Sequence, residues 1–341
     1  MRRDPDRRSA MNHPLPRLLR IFLKNCLRMA ALLLAVSIIA FALVSASPVD
    51  PVQQYILGLG SAISPEQRAQ IEAYWGADVP PVQRYLNWLR DVLRGDLGES
   101  SLYRRPVADV IGERFGASLA LMLCAWVLAG VIGFAAGCVM GMHKDRAADK
   151  ILKKICYVLS SVPTFWLGLL FLLIFAVWLG WFPVGFSAPV GVLSGNVTLW
   201  QKLHHLLLPT LTLSLTSFAN IALHTRQKLV EVLSSEYVLF ARARGELPRE
   251  ILRRHGLRNI LIPALTLQFA SFAELFGGSV LAENVFSYPG LGSAAAAAGL
   301  QGDVPLLLGI TLFSALFVSV GNLIADLLYG VVDPRVREVG A

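Results

Sequence analysis

A chain of 341 residues that is 55% hydrophobic and 16% charged, with a mean hydropathy of +0.57, carries more apolar surface than a soluble core of that size buries, which excludes an ordinary soluble domain. Its formal charge of +8 is read as membrane topology and not as a nucleic-acid surface, because Lys and Arg concentrate on the cytoplasmic face of membrane proteins. The four cysteines, Cys26, Cys124, Cys138 and Cys156, have neither CxxC nor metal-ligand spacing, so no disulfide framework and no bound metal are expected.

The opening MRRDPDRRSA is polar and Met11 offers an alternative start; residues 1–26 read as a cytoplasmic tail. Apolar runs long enough to cross the hydrocarbon core, which takes roughly 20 helical residues, fall near 27–46, 118–142, 155–180, 204–224, 263–283 and 305–329. The expected fold is an all-α polytopic membrane protein with six transmembrane helices. With the N-terminus inside, the tail, 143–154, 225–262 and the C-terminal end carry most of the 31 Lys and Arg residues, so both termini face the cytoplasm. Residues 118–335 then form the main transmembrane domain and 336–341 a short tail.

The loop 47–117 lies outside in this reading. Within it, Pro80-Pro81 precedes Tyr85, Leu86, Trp88, Leu89, Val92 and Leu93, with Arg84, Arg90 and Arg94 between them. That near-helical period predicts an amphipathic helix that either receives an external protein or rests on membrane lipid. Gly133, Gly137 and Gly141 form a GxxxGxxxG ladder on one face of the second span, removing side chains where another helix backbone approaches.

The stretch 225–262 is neither apolar enough to insert nor disordered in composition. It predicts two short helices: one from Glu236 through Tyr237, Ala241, Arg242 and Ala243, ended by Gly245, and a second opened by Pro248, with Pro263 marking entry to the fifth span. Such a helix–glycine–helix suits insertion into a groove of another protein, and a basic loop attracted to anionic lipid is the alternative. Glu274 falls near the middle of the fifth span, where an ionisable group faces a cavity or a partner. It either lines a path for a cationic substrate or metal chelate, or makes a structural hydrogen bond, with Asn220 the candidate partner. The chain has no GxxxxGK[ST], HExxH or GxSxG motif, which argues against an enzyme with its own ATP-hydrolysing site.

EYVLFARARG, continuing to LRNILIP, resembles the EAA-type coupling loop in permeases of ATP-binding cassette importers, and more narrowly the dipeptide, oligopeptide and nickel permease group. LRGDLGES at 93–100, GGSVLAENVFSYPGLG at 277–292 and Asp333-Pro334-Arg335 match the same group, so the resemblance covers about residues 15–337. It implies a type I ABC importer permease in the bacterial inner membrane that forms a path for peptides or nickel and other metal chelates. It also implies a second permease subunit, two ATP-binding subunits and an extracytoplasmic substrate-binding protein as partners, with no nucleic acid. ATP and Mg would be used by the partner subunits, with no cofactor bound by this chain. Glu236, Tyr237, Ala241, Arg242, Ala243 and Gly245 would couple to the ATPase. The sequence departs from the group's pattern at Glu246-Leu247-Pro248 and at Glu274. An ATP-independent transporter or channel and a membrane scaffold are the rival readings.

Overall fold

The computed structural model describes residues 14–47, 53, 56, 64–68, 79–192 and 194–332. Residues 1–13 of the expected tail 1–26, the expected tail 336–341, the Asp333-Pro334-Arg335 motif and much of 48–78 lie outside the described residues, and residues 14–26 are helical. Helix α1 spans Pro14–Ser45 and α2 Pro81–Leu93. A two-residue ribbon, β1 (Glu99–Ser100) against β2 (Arg105–Pro106), is the strand pairing among the described residues. There follow α3 (Val107–Met142), α4 (Ala147–Ser161), α5 (Thr164–Phe171, continued by a π-helical stretch Leu172–Trp178) and α6 (Leu199–Leu233). Next come α7 (Glu236–Ala243), α8 (Pro248–Ile251), a π-helical stretch Leu252–Gly256, and α9 (Leu257–Ala270). Helices α10 (Phe272–Val285), α11 (Leu291–Gln301) and α12 (Val304–Val332) complete the chain.

Among the described residues, four helices are long and apolar enough to cross a bilayer, and two bent pairs bring the number to six when each pair counts as one span. The expected single helix at 155–180 is in fact α4 and α5, bent by 106°. Pro163 has no N–H to continue α4, and it drives Val162 into extended backbone at ψ 128. The fifth span is bent by 49° at Ser271, whose hydroxyl donates to the Gln268 carbonyl at 2.9 Å, a back-bond that bends helices. Pro263 does not open this span as expected. It lies inside α9, and the helix arrives from the loop without interruption through the π-helical stretch.

Helix α3 begins at Val107, ahead of the expected 118. Its 36 residues make it about 54 Å long, well beyond the hydrocarbon core, and its first turns bury Val107, Val110 and Ile111 against Leu291, Ala294, Leu306 and Ile310. The glycine ladder sits farther along the same helix and faces α6 in parallel register. A Cβ at Gly133 would meet Ile221 Cβ at 2.9 Å, one at Gly137 Thr225 Cβ at 2.5 Å and the Ala222 carbonyl oxygen at 2.7 Å, and one at Gly141 Leu229 at 2.7 Å. The partners recur every four residues, as the glycines do. The ladder therefore sets a close helix crossing.

Two polar locks frame that crossing. Arg226 on α6 donates from Nε and Nη2 to the two carboxylate oxygens of the fully buried Asp149 on α4, at 2.6 and 2.7 Å, and the Asp145 amide adds a third bond at 2.8 Å. Before the ladder on α3, Trp126 Nε1 donates to the Gln268 carbonyl at 2.7 Å while Gln268 Nε2 returns a bond to the Trp126 carbonyl.

Overpacking of a well-filled interface costs about 1–3 kcal/mol and often more when backbone is struck. Gly137→Val should therefore lower the thermal unfolding midpoint of the purified protein sharply or abolish its recovery. Gly112→Ala, on the same helix with open space around the added Cβ, should leave the midpoint unchanged or slightly raised in the same fluorimetric melt.

Candidate functional site

Helix α7 starts after Ser235 and places Glu236 in its first turn and Arg242 in its last, the arrangement its dipole favours. Val238 and Ala241 turn inward onto Ile251, Val232 and Leu233. The opposite face is apolar yet exposed: Tyr237 is 45% accessible, Leu239 54% and Phe240 72%, with Leu247 just beyond the turn at 64%. Of the six loop residues singled out from sequence, Ala241 is buried and Glu236, Tyr237, Arg242, Ala243 and Gly245 are exposed.

The turn after α7 is a Schellman motif. Gly245 N–H donates to the Arg242 carbonyl at 2.9 Å and Glu246 N–H to the Ala241 carbonyl at 3.2 Å, with Gly245 at φ +84. Glu246, one of the departures from the family pattern, does not disturb this turn. Its carboxylate accepts from Arg244 Nη2 at 2.9 Å and faces His255 Nε2 at 3.3 Å. Glu250 reaches back to the Leu247 amide at 3.1 Å, and Asn259 Nδ2 donates to the Tyr237 hydroxyl at 3.3 Å. These contacts fasten α7 to the helix that runs onward as α8 and α9.

That helix leads to a cavity of 630 Å³. Both helix breaks line it: Val162, Pro163 and Thr164 from the α4–α5 bend, and Ala270 and Ser271 from the α9–α10 bend. Glu274 and Asn220 line the same cavity, so the structure brings these two together as expected. The alternative expectation, a hydrogen bond from Glu274 to Asn220, is not seen among the described residues.

Sequence reasoning passed over two buried acids that build the opposite end of the bundle. Glu283 Oε1 accepts from Ser118 Oγ at 2.6 Å, and Oε2 accepts from the Gly292 and Ser293 amides at 2.7 and 3.2 Å. Ser118 Oγ in turn accepts from the Leu291 amide at 2.7 Å. Together they satisfy the first-turn amides of α11. A Cβ at Gly290 would strike the Glu283 carboxyl and one at Gly292 the Val280 backbone, which accounts for both glycines of the SYPGLG stretch. Asp303 caps α12 through the Leu306 amide at 3.2 Å and holds the β1–β2 ribbon through Ser100 Oγ at 2.5 Å and the Leu102 amide at 3.0 Å. An acid directly before a new helix start was the available signal at Asp303; at Glu283 the capped helix begins eight residues later, and no local pattern announces it. His204 and His205 fasten the 181–198 loop by bonds to the Trp181 and Gly185 carbonyls, at 2.9 and 2.8 Å.

The outer-loop helix α2 is held on α1. Tyr85 hydroxyl bonds Ser37 Oγ at 2.9 Å, Arg84 donates to Ser45 Oγ at 3.1 Å, and Phe41, Tyr85 and Trp88 form one ring cluster.

Broken apolar helices around a cavity, followed back to an exposed apolar surface helix, have the character of a membrane transport subunit. The chain belongs to the family described as binding-protein-dependent transport system inner membrane component, which matches residues 133–338, with the family's N-terminal region matching 18–122. It is 34% identical over 316 residues to the oligopeptide transport system permease protein AppB of Bacillus subtilis, covering 92% of this chain and 98% of that one. It is 35% identical over 325 residues to the glutathione transport system permease protein GsiC of Escherichia coli K12, covering 94% and 99%. The chain is thus a non-catalytic, multi-pass inner-membrane permease subunit of an ABC importer, a class that works with separate ATPase and substrate-binding proteins.

A Cβ at Gly245 meets nothing within 4 Å, so any defect on substitution comes from the left-handed backbone alone, which costs roughly 1–3 kcal/mol for a side chain that resists it. Gly245→Val should depress substrate-stimulated ATP hydrolysis and uptake together, whereas Gly245→Asn, which tolerates this conformation, should retain most of both. The paired measurement is ATPase rate and uptake by the reconstituted importer.

Proposed function

We propose that this subunit forms one wall of a peptide translocation path, and that α7 transmits the ATPase cycle to it. One observation carries the reading. The exposed face of α7, its Gly245 turn, and the unbroken helical run from Pro248 to Ala270 lead to the bend at Ser271, beside which Glu274 lines the cavity. A displacement of α7 by a docked partner is thereby delivered to the cavity wall and not dissipated in a flexible loop.

In this reading Tyr237, Leu239 and Phe240 enter a groove on an ATP-binding subunit, in the manner of an amphipathic helix in a groove, and the basic residues Arg249, Arg253, Arg254 and Arg258 face the cytoplasm and its anionic lipid. A second permease subunit supplies the other wall, two ATP-binding subunits bind ATP and Mg, and an external protein delivers the solute. The names of the relatives favour peptides over nickel chelates as that solute. Alternating access requires α7 to bind its partner differently in the two states, since equal affinity shifts nothing.

In proteoliposomes holding this chain, its partner subunits and the binding protein, tri-alanine uptake should require ATP. Phe240→Asp, which puts a charge on the docking face and leaves the inward face untouched, should lower uptake at least tenfold and weaken retention of the ATP-binding subunits on affinity purification. Uptake that persists without those subunits would overturn the reading in favour of an ATP-independent transporter.

A further inference from the structure

Four of the hydroxyls that line the cavity have committed their protons, beside Thr164 and Asn220, which line it too. Ser160 donates its hydroxyl proton to the Tyr157 carbonyl at 3.1 Å, Thr216 and Ser217 donate theirs to Leu213 at 3.0 Å, and Ser271 donates its proton to Gln268 at 2.9 Å. All four side chains belong to the cavity lining. A hydroxyl has one proton and two lone pairs, so with the proton committed to its own helix each presents only acceptor capacity to the space. Glu274 adds a carboxylate that has no hydrogen bond or ion pair among the described residues, and no Lys or Arg lines the cavity. His224, one turn beyond Asn220, is the only other titratable side chain in the lining.

A carboxylate without a protein partner is held at membrane depth only where water or a ligand solvates it. The cavity's 630 Å³ lies within the range of small-molecule sites. A ligand group matching Glu274 and these four hydroxyls carries positive charge and donates several hydrogen bonds. A primary ammonium, with three donors and no acceptor, has that character.

We infer that the cavity is a subsite for the primary ammonium group of a transported peptide, with Glu274 as its counter-ion and the committed hydroxyls of Ser160, Thr216, Ser217 and Ser271 as neutral acceptors around it. The inference rests on the reading of this cavity as part of the translocation path. It gives the permease a charge preference of its own, separate from that of the binding protein, and it assigns a purpose to the one acid that departs from the family's pattern in this span.

The test uses the detergent-solubilised importer, complete except for its binding protein, and three probes: tri-alanine, N-acetyl-tri-alanine and N-acetyl-Ala-Lys-Ala. The wild-type complex should bind tri-alanine at least tenfold more tightly than its acetylated form. Glu274→Gln should remove that difference, and Glu274→Asp should restore part of it. N-acetyl-Ala-Lys-Ala binding as tightly as tri-alanine shows that any primary ammonium is read; binding as weakly as N-acetyl-tri-alanine assigns the site to the α-ammonium. Equal wild-type affinity for all three, no measurable binding of any, or a preference that survives Glu274→Gln overturns the inference. ATP-driven uptake by the same complex reconstituted into proteoliposomes, with binding protein restored, is scored separately. Uptake without the preference defeats the ammonium site alone, and the preference without ATP-driven uptake defeats the transport reading alone.

Discussion

The close approach of α3 and α6 is the constraint from which the rest of the bundle follows. Gly133, Gly137 and Gly141 admit Ile221, Thr225 and Leu229 at distances that a Cβ would forbid, so the two longest apolar helices lie against one another along several turns. In a bilayer, where lipid is as apolar as a helix face, such contact is favoured by dispersion and shape more than by exclusion of water. The Asp149–Arg226 fork completes the arrangement at one end. Asp149 is buried and Arg226 half-buried, so the value of the pair lies in holding one register of α4 against α6 more than in net stability.

The far end of the bundle is organised by helix starts. Glu283 and Asp303 each place a carboxylate among amides that no helix can satisfy for itself. Both bonds are long-range: Glu283 reaches Ser118 on α3, and Asp303 reaches the β1–β2 ribbon. Two acids thus connect segments far apart in sequence and fix α11 and α12 on the start of α3. Rigidity at both ends leaves the middle, where the two bends fall, as the place where the fold can change shape.

Those bends share a physical function although their causes differ. Pro163 removes a donor and forces Val162 into extended backbone, whereas Ser271 bends a helix that keeps its course. Each leaves backbone and hydroxyl groups beside the cavity, where irregular structure is tolerated at membrane depth because it lines a polar space. Beyond the Gly245 turn that ends α7, unbroken helix from Pro248 to Ala270 runs to one of these bends. The exposed face of α7 and the cavity wall are therefore separated by one turn and one helical run.

Much of this was legible in the sequence, and for definite reasons. Apolar length located the spans because the bilayer imposes a length on any helix that crosses it. The glycine ladder declared a packing face because small residues at a four-residue repeat share one side of a helix. Gly245 and Pro248 marked the turn of the 225–262 loop because left-handed backbone and a fixed φ are local demands on single residues. The break at Pro163 was equally local, yet the continuous hydrophobicity of 155–180 concealed it, and Pro263 was given a boundary that the helix does not have. Only the tertiary structure decided that Glu274 and Asn220 share a cavity without bonding one another, that four of the surrounding hydroxyls have spent their protons, and that Glu283 serves a helix that begins eight residues later. These depend on where separate helices cross, and no periodicity within one helix encodes the direction in which another will approach it.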